Sequence, residues 1–214
     1  MTNKMPEPSG FYYPDRFALI LLNALEEIMG RNGLNAVLNM GGLSDWIENP
    51  PPDDMKKKEF DFAYMAALNE ALEEMYGPRG GRGLQLRLGR VLFAEGLANF
   101  GALVGASDLA FKVLPLKAKL KAGLPAIAQV FDSLSDQTSY VTDPGSDHYL
   151  YHIARCSMCW GRTSDRPVCF IAAGILEEAL RWISGGHTFR VDEITCIAMG
   201  DEECKYAVYK EPLG

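Results

Sequence analysis

The sequence predicts an α+β fold, an antiparallel sheet covered by helices with a further helical layer at the N-terminus. Three observations carry that expectation. Apolar residues recur at helical spacing through the first part of the chain, β-formers gather around tight turns from about Ser139 onward, and one amphipathic helix stands between two hairpins. Helices, hairpin, helix, hairpin is an order that lays helices over a sheet. With 214 residues, 48% of them apolar, the chain can bury a sizeable core. We expect a helical segment over residues 1–80, packed on a main domain over residues 81–214.

In "PDRFALILLNALEEIMG", Phe17, Ile20, Leu21, Ala24, Leu25 and Ile28 line one helix face, and Gly30 closes it. A shorter helix follows in "GLNAVLNM", and "NPPPDD" ends that unit because prolines cannot continue a helix. "FDFAYMAALNEALEEMYG" reads as a third helix, with Phe62, Met65, Leu68, Leu72, Met75 and Tyr76 inward. The run "GPRGGRG" lacks the Gly-Lys-Ser/Thr ending of a phosphate loop and follows a helix, so it is expected to be a connector. After it, "LQLRLGRVLFAEGLANFGALVG" is apolar on two faces, as in a helix that is buried or lines a cavity. Gly89, Gly96 and Gly101 interrupt it, and such glycines suit a close approach by another backbone or a ligand. Leu124, Ile127, Ala128, Phe131 and Leu134 mark the next amphipathic helix. "TSYVTDPGSDHYLYHIARC" is a hairpin about an Asp-Pro-Gly-Ser turn, "PVCFIAAGILEEALRWISGG" a helix begun by Pro167, and "HTFRVDEITCIA" and "CKYAVYK" two strands joined by "MGDEE".

A net charge of −7 and a pI near 5.0 argue against nucleic acid as a partner. Lys112, Lys117, Lys119 and Lys121 form one local basic run, read as a solvated helix face. No stretch approaches the ~20 apolar residues of a membrane span, so no integral membrane segment is expected. The polar, proline-bearing "MTNKMPEPSG" does not read as a secretory signal, and a cytoplasmic location is expected.

All five cysteines, Cys156, Cys159, Cys169, Cys196 and Cys204, fall in the last third. Outside oxidising compartments such clustering shifts weight from disulfides toward a metal, although a single buried cysteine behaves as a small hydrophobe. Helical spacing turns Cys169 toward the sheet, and strand alternation puts Cys204 with Tyr206 and Val208 on one face, almost opposite Cys196. Glu193 lies close enough to join them beside a cation, provided the chain bends near Thr195. A competing set joins "CSMC", Cys156 and Cys159, to Cys196 and Cys204. Residue spacing leaves both open, with the seven-residue gap between Cys196 and Cys204 slightly disfavouring four sulfurs.

"PVCF", the helix after it and "VDEITCIAMGDEECKYAV" resemble the 4-vinyl reductase domain family and the phenol-sensing input domains of bacterial activators. The resemblance implies a 4-vinyl-reductase-domain or TRAPP-like ligand-binding fold. It also implies a structural zinc on Cys169, Glu193, Cys196 and Cys204, and a homodimer, which the apolar N-terminal helices would also suit. Cys156 and Cys159 lie outside the sensor motif and read as a redox pair, alternative ligands or packing.

The family name implies a reductase or accessory factor of (bacterio)chlorophyll biosynthesis. No Gly-x-Gly-x-x-Gly turn follows a strand, and His148, His152 and His187 lie near strands without an evident nucleophile. Four protein ligands would also close the zinc shell. The expected function is therefore binding of a hydrophobic or aromatic small molecule, a tetrapyrrole among the candidates, in a carrier or sensor. Candidate pocket residues are Phe93, Leu97, Phe100, Phe111, Tyr149, Tyr151 and Trp160, all of which also suit ordinary core packing.

Overall fold

The computed structural model describes residues 5–100 and 113–213. Strand β1 (Tyr12–Tyr13) pairs antiparallel with β2 (Phe60–Asp61), and between them runs helix α1 (Asp15–Met40). α1 breaks at Gly30, whose φ of 74° only glycine adopts readily, so it comprises the two helices that the sequence predicts. α2 (Phe62–Phe100) breaks in the same way at Gly77, φ 69°. The expected connector shrinks to that one residue. Pro78 restarts the helix at once, because its ring holds φ near the helical value and its missing N–H is no loss in a first turn. Tyr76, expected inward, is instead exposed.

α3 (Leu116–Leu134) follows Pro115 and buries Leu120, Leu124, Ile127 and Ala128, while Lys117 and Lys121 face solvent as expected. Lys112, the first of that basic run, lies outside the described residues. Strands β3 (Thr138–Thr142) and β4 (His148–Arg155) form the predicted hairpin. α4 (Phe170–Ser184) starts three residues later than Pro167, with Cys169 at its N-cap. It ends at Gly185, φ 78°, where the N–H groups of Gly185 and Gly186 bond back to Trp182 and Arg181. β5 (Val191–Thr195) and β6 (Cys204–Tyr209) complete a four-stranded antiparallel sheet in the order β3-β4-β6-β5.

The fold is thus α+β, as predicted. One hydrophobic core runs from α1 to β6, and the residue-80 division falls inside α2. Tyr149, Tyr151 and Ile153 of β4 stand opposite Val208, Tyr206 and Cys204 of β6, all buried beneath the helices. α2 and α4 cross with their backbones in contact. A Cβ on Gly89 would lie 2.1 Å from the Ile171 carbonyl oxygen, and one on Gly174 2.2 Å from that of Leu86. α1 covers its apolar face within the chain, burying Ala18, Leu21, Leu22, Ala24 and Leu25. The uncovered N-terminal helices that suited a second copy are therefore not found. No described helix is long and apolar enough to cross a membrane.

Candidate metal centre and the adjoining cavity

Four segments deliver the five cysteines to one buried point, each at most 2% exposed. Cys156 and Cys159 lie on the loop leaving β4, Cys169 caps α4, Cys196 follows β5, and Cys204 opens β6. The required bend is present: Glu193 pairs with Tyr206 and Thr195 with Lys205, so Ile194 is an extra residue on β5. Ile194 turns outward, 49% exposed, and Glu193 and Cys196 come to the same side.

The sulfur atoms stand at 3.6 Å for Cys156–Cys169, 3.5 Å for Cys159–Cys204, 3.8 Å for Cys169–Cys196, 3.9 Å for Cys169–Cys204 and 4.0 Å for Cys196–Cys204. Tetrahedral zinc with bonds of about 2.3 Å sets its sulfurs about 3.8 Å apart. Two sets of four have all ligand atoms within 4.8 Å of one another: Cys169, Glu193, Cys196 and Cys204, and Cys156, Cys159, Cys169 and Cys204. The second differs from the four-sulfur set considered in the sequence, with Cys169 in place of Cys196.

Glu193 Oε2 accepts the backbone N–H of Cys169 at 2.9 Å, while its buried Oε1 has no hydrogen-bond partner among the described residues. Burial, then the neighbouring Cys196 charge, pushes its pKa up to about 9 against the opposing Cys169 N–H. A bound cation would reverse both effects. Hydrogen bonds from Cys156, Cys169, Cys196 and Cys204 hold the Cys159 thiol well below its ordinary range, whereas burial raises Cys169 well above it. The orphaned oxygen and the sulfur spacing together fit a metal ion.

Neighbouring groups hold the ligands in place. Cys204 Sγ accepts the Ile197 N–H at 3.4 Å, and the Cys196 N–H donates to Asp201 Oδ2 at 2.9 Å. The Tyr206 hydroxyl donates to the Cys169 carbonyl at 3.1 Å. Fully buried Asn69 on α2 donates from Nδ2 to the carbonyls of Met158, 3.0 Å, and Val168, 2.9 Å, tying down both segments that carry cysteines 156, 159 and 169.

Beside the cluster, α1, α2, α3 and α4 enclose a cavity of about 310 Å³. Phe93 and Leu97 line it as predicted, together with Gly96, and so does Leu92, which was expected to face the N-terminal layer. The Phe100 side chain, Gly101 and Phe111 lie outside the described residues. Tyr149 and Tyr151 belong instead to the core under the sheet, and Trp160 packs edge-on against Phe11 at 5.3 Å, away from the lining. Sequence reasoning missed Tyr13, Trp182 and Met158. Trp182 lies seven residues after Ile175 on α4, and both reach the cavity, a helical spacing that was available in advance. Met158 stands between Cys156 and Cys159, so one loop serves both the cluster and the cavity wall. Its neighbour Ser157 meets the Tyr13 hydroxyl at 3.0 Å.

His152 also differs from expectation. Its Nε2 lies 2.9 Å from Thr142 Oγ1 and its Nδ1 3.0 Å from Glu203 Oε1, so a hydroxyl does stand beside it. Tyr140 stacks on the imidazole at 4.3 Å, and the group ties β3 and β4 to the approach of β6.

The C-terminal part of the chain, cluster included, matches one family model over residues 150–210, that of the 4-vinyl reductase domain. Residues 150–210 are a 4-vinyl reductase domain. Among solved structures, an H-NOX protein from S. oneidensis in the Fe(II)NO ligation state superposes with a TM-score of 0.55 at 16% identity, over 91% of this chain and 98% of that one. A variant of Tt H-NOX gives 0.58 at 13% identity, over 94% and 97%. These likenesses establish the fold around the matched domain. The phenol-responsive sensory domain of the transcription activator PoxR is also similar, at a TM-score of 0.49 and 17% identity over 72% of this chain and 77% of that one, an overlap too loose for residue-level reading. No curated protein sequence matches the chain.

Proposed function

We propose that this chain is a binding module for a small hydrophobic or aromatic molecule, acting as a carrier or sensor, with a structural zinc on Cys169, Glu193, Cys196 and Cys204. The cavity carries the reading. It is about 310 Å³ in volume and lined almost wholly by apolar side chains, among them Phe93, Leu97, Ile127, Phe131 and Trp182. Apolar cavities of about 150 Å³ stay dry and take up benzene, so this one has room for one or two fused aromatic rings. Structural neighbours described as modulating or distorting heme are consistent with a ligand in this part of the fold. Here the lining holds no histidine or cysteine to ligate an iron, and the Tyr13 hydroxyl is engaged by Gln137 at 2.7 Å and by Ser157. Shape and apolar contact therefore select the occupant.

The zinc reading rests on sulfur spacing and on the orphaned Glu193 oxygen. Four protein ligands leave no open position, so the ion would fasten the α4 N-terminus to the β5–β6 hairpin rather than activate water. The same helix offers Ile175, Trp182 and Ile183 to the cavity, which makes it the element common to both sites. A second copy as partner rests on the family resemblance. Light scattering should then give twice 23.6 kDa at micromolar concentration, and a mass of 23.6 kDa would exclude the dimer.

Titration with toluene and naphthalene tests the cavity, read by calorimetry and by Trp182 fluorescence. We expect saturable binding of one molecule per chain, abolished in Ala126→Trp, which fills the lining. Absence of saturable binding, or binding that Ala126→Trp leaves untouched, would sink the reading.

A further inference from the structure

One ion uses only four of the six donors gathered here. The two sets that close within 4.8 Å share Cys169 and Cys204 and differ in their remaining pairs, Cys156 with Cys159 and Glu193 with Cys196. The contacts follow the same pattern. Cys169 touches Cys156 at 3.6 Å on one side and Cys196 at 3.8 Å on the other. Cys204 touches Cys159 at 3.5 Å and Cys196 at 4.0 Å. This is the arrangement of two tetrahedra joined along the Cys169–Cys204 edge.

We propose that the cluster is a binuclear thiolate centre for zinc-type divalent cations, with the Cys169 and Cys204 sulfurs bridging both ions. The first ion adds Glu193 and Cys196, and so rests on the ligand set proposed above. The second adds Cys156 and Cys159. A thiolate keeps lone pairs after binding one metal and can bridge to another. Closing the shared 3.9 Å edge over two ions asks for a contraction of about half an ångström at metal–sulfur bonds of about 2.3 Å.

Charge supports the second ion. Five thiolates and one carboxylate carry six negative charges, and two divalent ions leave two, the same remainder as one ion on Cys169, Glu193, Cys196 and Cys204. The second ion therefore lets Cys156 and Cys159 ionise with no added net charge in the buried site, where an uncompensated thiolate is costly. Packing alone would let two buried cysteines point anywhere in the core, yet both set their sulfurs against the shared pair. The second ion also fixes the loop that carries Met158, and with it one wall of the cavity.

Metal-free, fully reduced protein titrated anaerobically with Zn(II) should saturate at two ions per chain by native mass spectrometry. Cys156→Ser/Cys159→Ser should bind one, and so should Glu193→Ala/Cys196→Ser. With Co(II) as probe, the electron paramagnetic resonance signal should grow to the first equivalent and fall toward the second, because bridging sulfurs couple the two spins. Saturation of the unmodified chain at one ion overturns the proposal, as do two ions whose Co(II) signals add without coupling. If the single ion survives in Cys156→Ser/Cys159→Ser, the ligand set of the proposed function stands and only the bridge fails. If it survives only in Glu193→Ala/Cys196→Ser, both fail.

Discussion

Gly89→Ala places a methyl carbon 2.1 Å from the Ile171 carbonyl oxygen, 2.8 Å from the Ile175 nitrogen and 2.9 Å from Gly174 Cα. All three are backbone atoms of α4, so no side chain can rotate aside. Ordinary contact begins near 3.4 Å, and the two helices must separate locally by about 1.3 Å, the difference between 3.4 and 2.1. Overpacking of this kind costs about 1–3 kcal/mol, and a clash between two backbones belongs at the upper end. Replacing a mid-helix glycine returns about 1 kcal/mol of helix propensity, leaving a net loss of about 2 kcal/mol. For a chain of this size that lowers the melting temperature by about 4–8 °C. Gly96→Ala is the control: its added carbon meets nothing within 4 Å, so the propensity gain of up to about 1 kcal/mol should remain. Differential scanning calorimetry and urea unfolding read both. A Gly89→Ala protein as stable as the unmodified one would show that the α2–α4 crossing is not as close as described.

Three further outcomes are expected. Complete chelation should lower the melting temperature by about 8–16 °C relative to protein at a thousandfold excess of zinc over its dissociation constant, the equivalent of about 4 kcal/mol; unchanged unfolding with metal loss verified would rule out a structural ion. Glu73→Ala strands Arg162, whose side chain is only 8% exposed and which Glu73 engages at 2.8 Å, and should cost about 2–3 kcal/mol in urea unfolding once partial exposure is discounted. Burial alone would raise the Glu73 pKa, but Arg166 and Arg162 outweigh it and hold it below 4.5, so its contribution is present above that pH and is lost as pH falls through the lower folded value; a Glu73→Ala penalty that persists undiminished in acid would contradict this. Asn69→Leu removes the donor shared by the Met158 and Val168 carbonyls, and chelator competition should show metal affinity about 10–100-fold lower; a variant that loses stability but keeps full affinity would limit Asn69 to packing.

The elements were legible where a cue lies within a few residues of its effect. Gly30 ends the first part of α1 because a positive φ is a property of that residue, and the Asp-Pro-Gly-Ser turn and the Gly-Asp turn both announced their hairpins. Pro78 shows the limit of that reasoning. Six residues rich in glycine read as a connector, yet they are helical, because packing against the preceding segment outweighs their weak propensity. A Cβ on Gly81 would fall 2.8 Å from Glu73 Cα, so the glycine serves a close approach. Gly89 was legible in kind, since a costly glycine in a helix implies a close neighbour, but nothing local said that the neighbour would be α4 and its Gly174.

The metal centre divides in the same way. Alternation along β6 and helical spacing in α4 state which face each cysteine takes, so the meeting of Cys169, Cys196 and Cys204 followed from the sequence. The obstacle at Glu193 was legible too, and the extra residue Ile194 removes it. What spacing could not settle was the approach of the Cys156–Cys159 loop. That approach depends on Asn69, which lies 89 residues before Met158 and bonds its carbonyl from another element. The same loop explains why the cavity was only half read. Phe93 and Leu97 sit on a helix whose second apolar face demanded a partner, whereas Met158 looked like the spacer of a cysteine pair. Its place in the wall arises because the loop is pinned on one side by sulfur contacts and on the other by Ser157 against Tyr13. A ligand that fills the cavity presses on a residue flanked by two cysteines of the cluster, so occupancy and metal binding act on one short segment of chain.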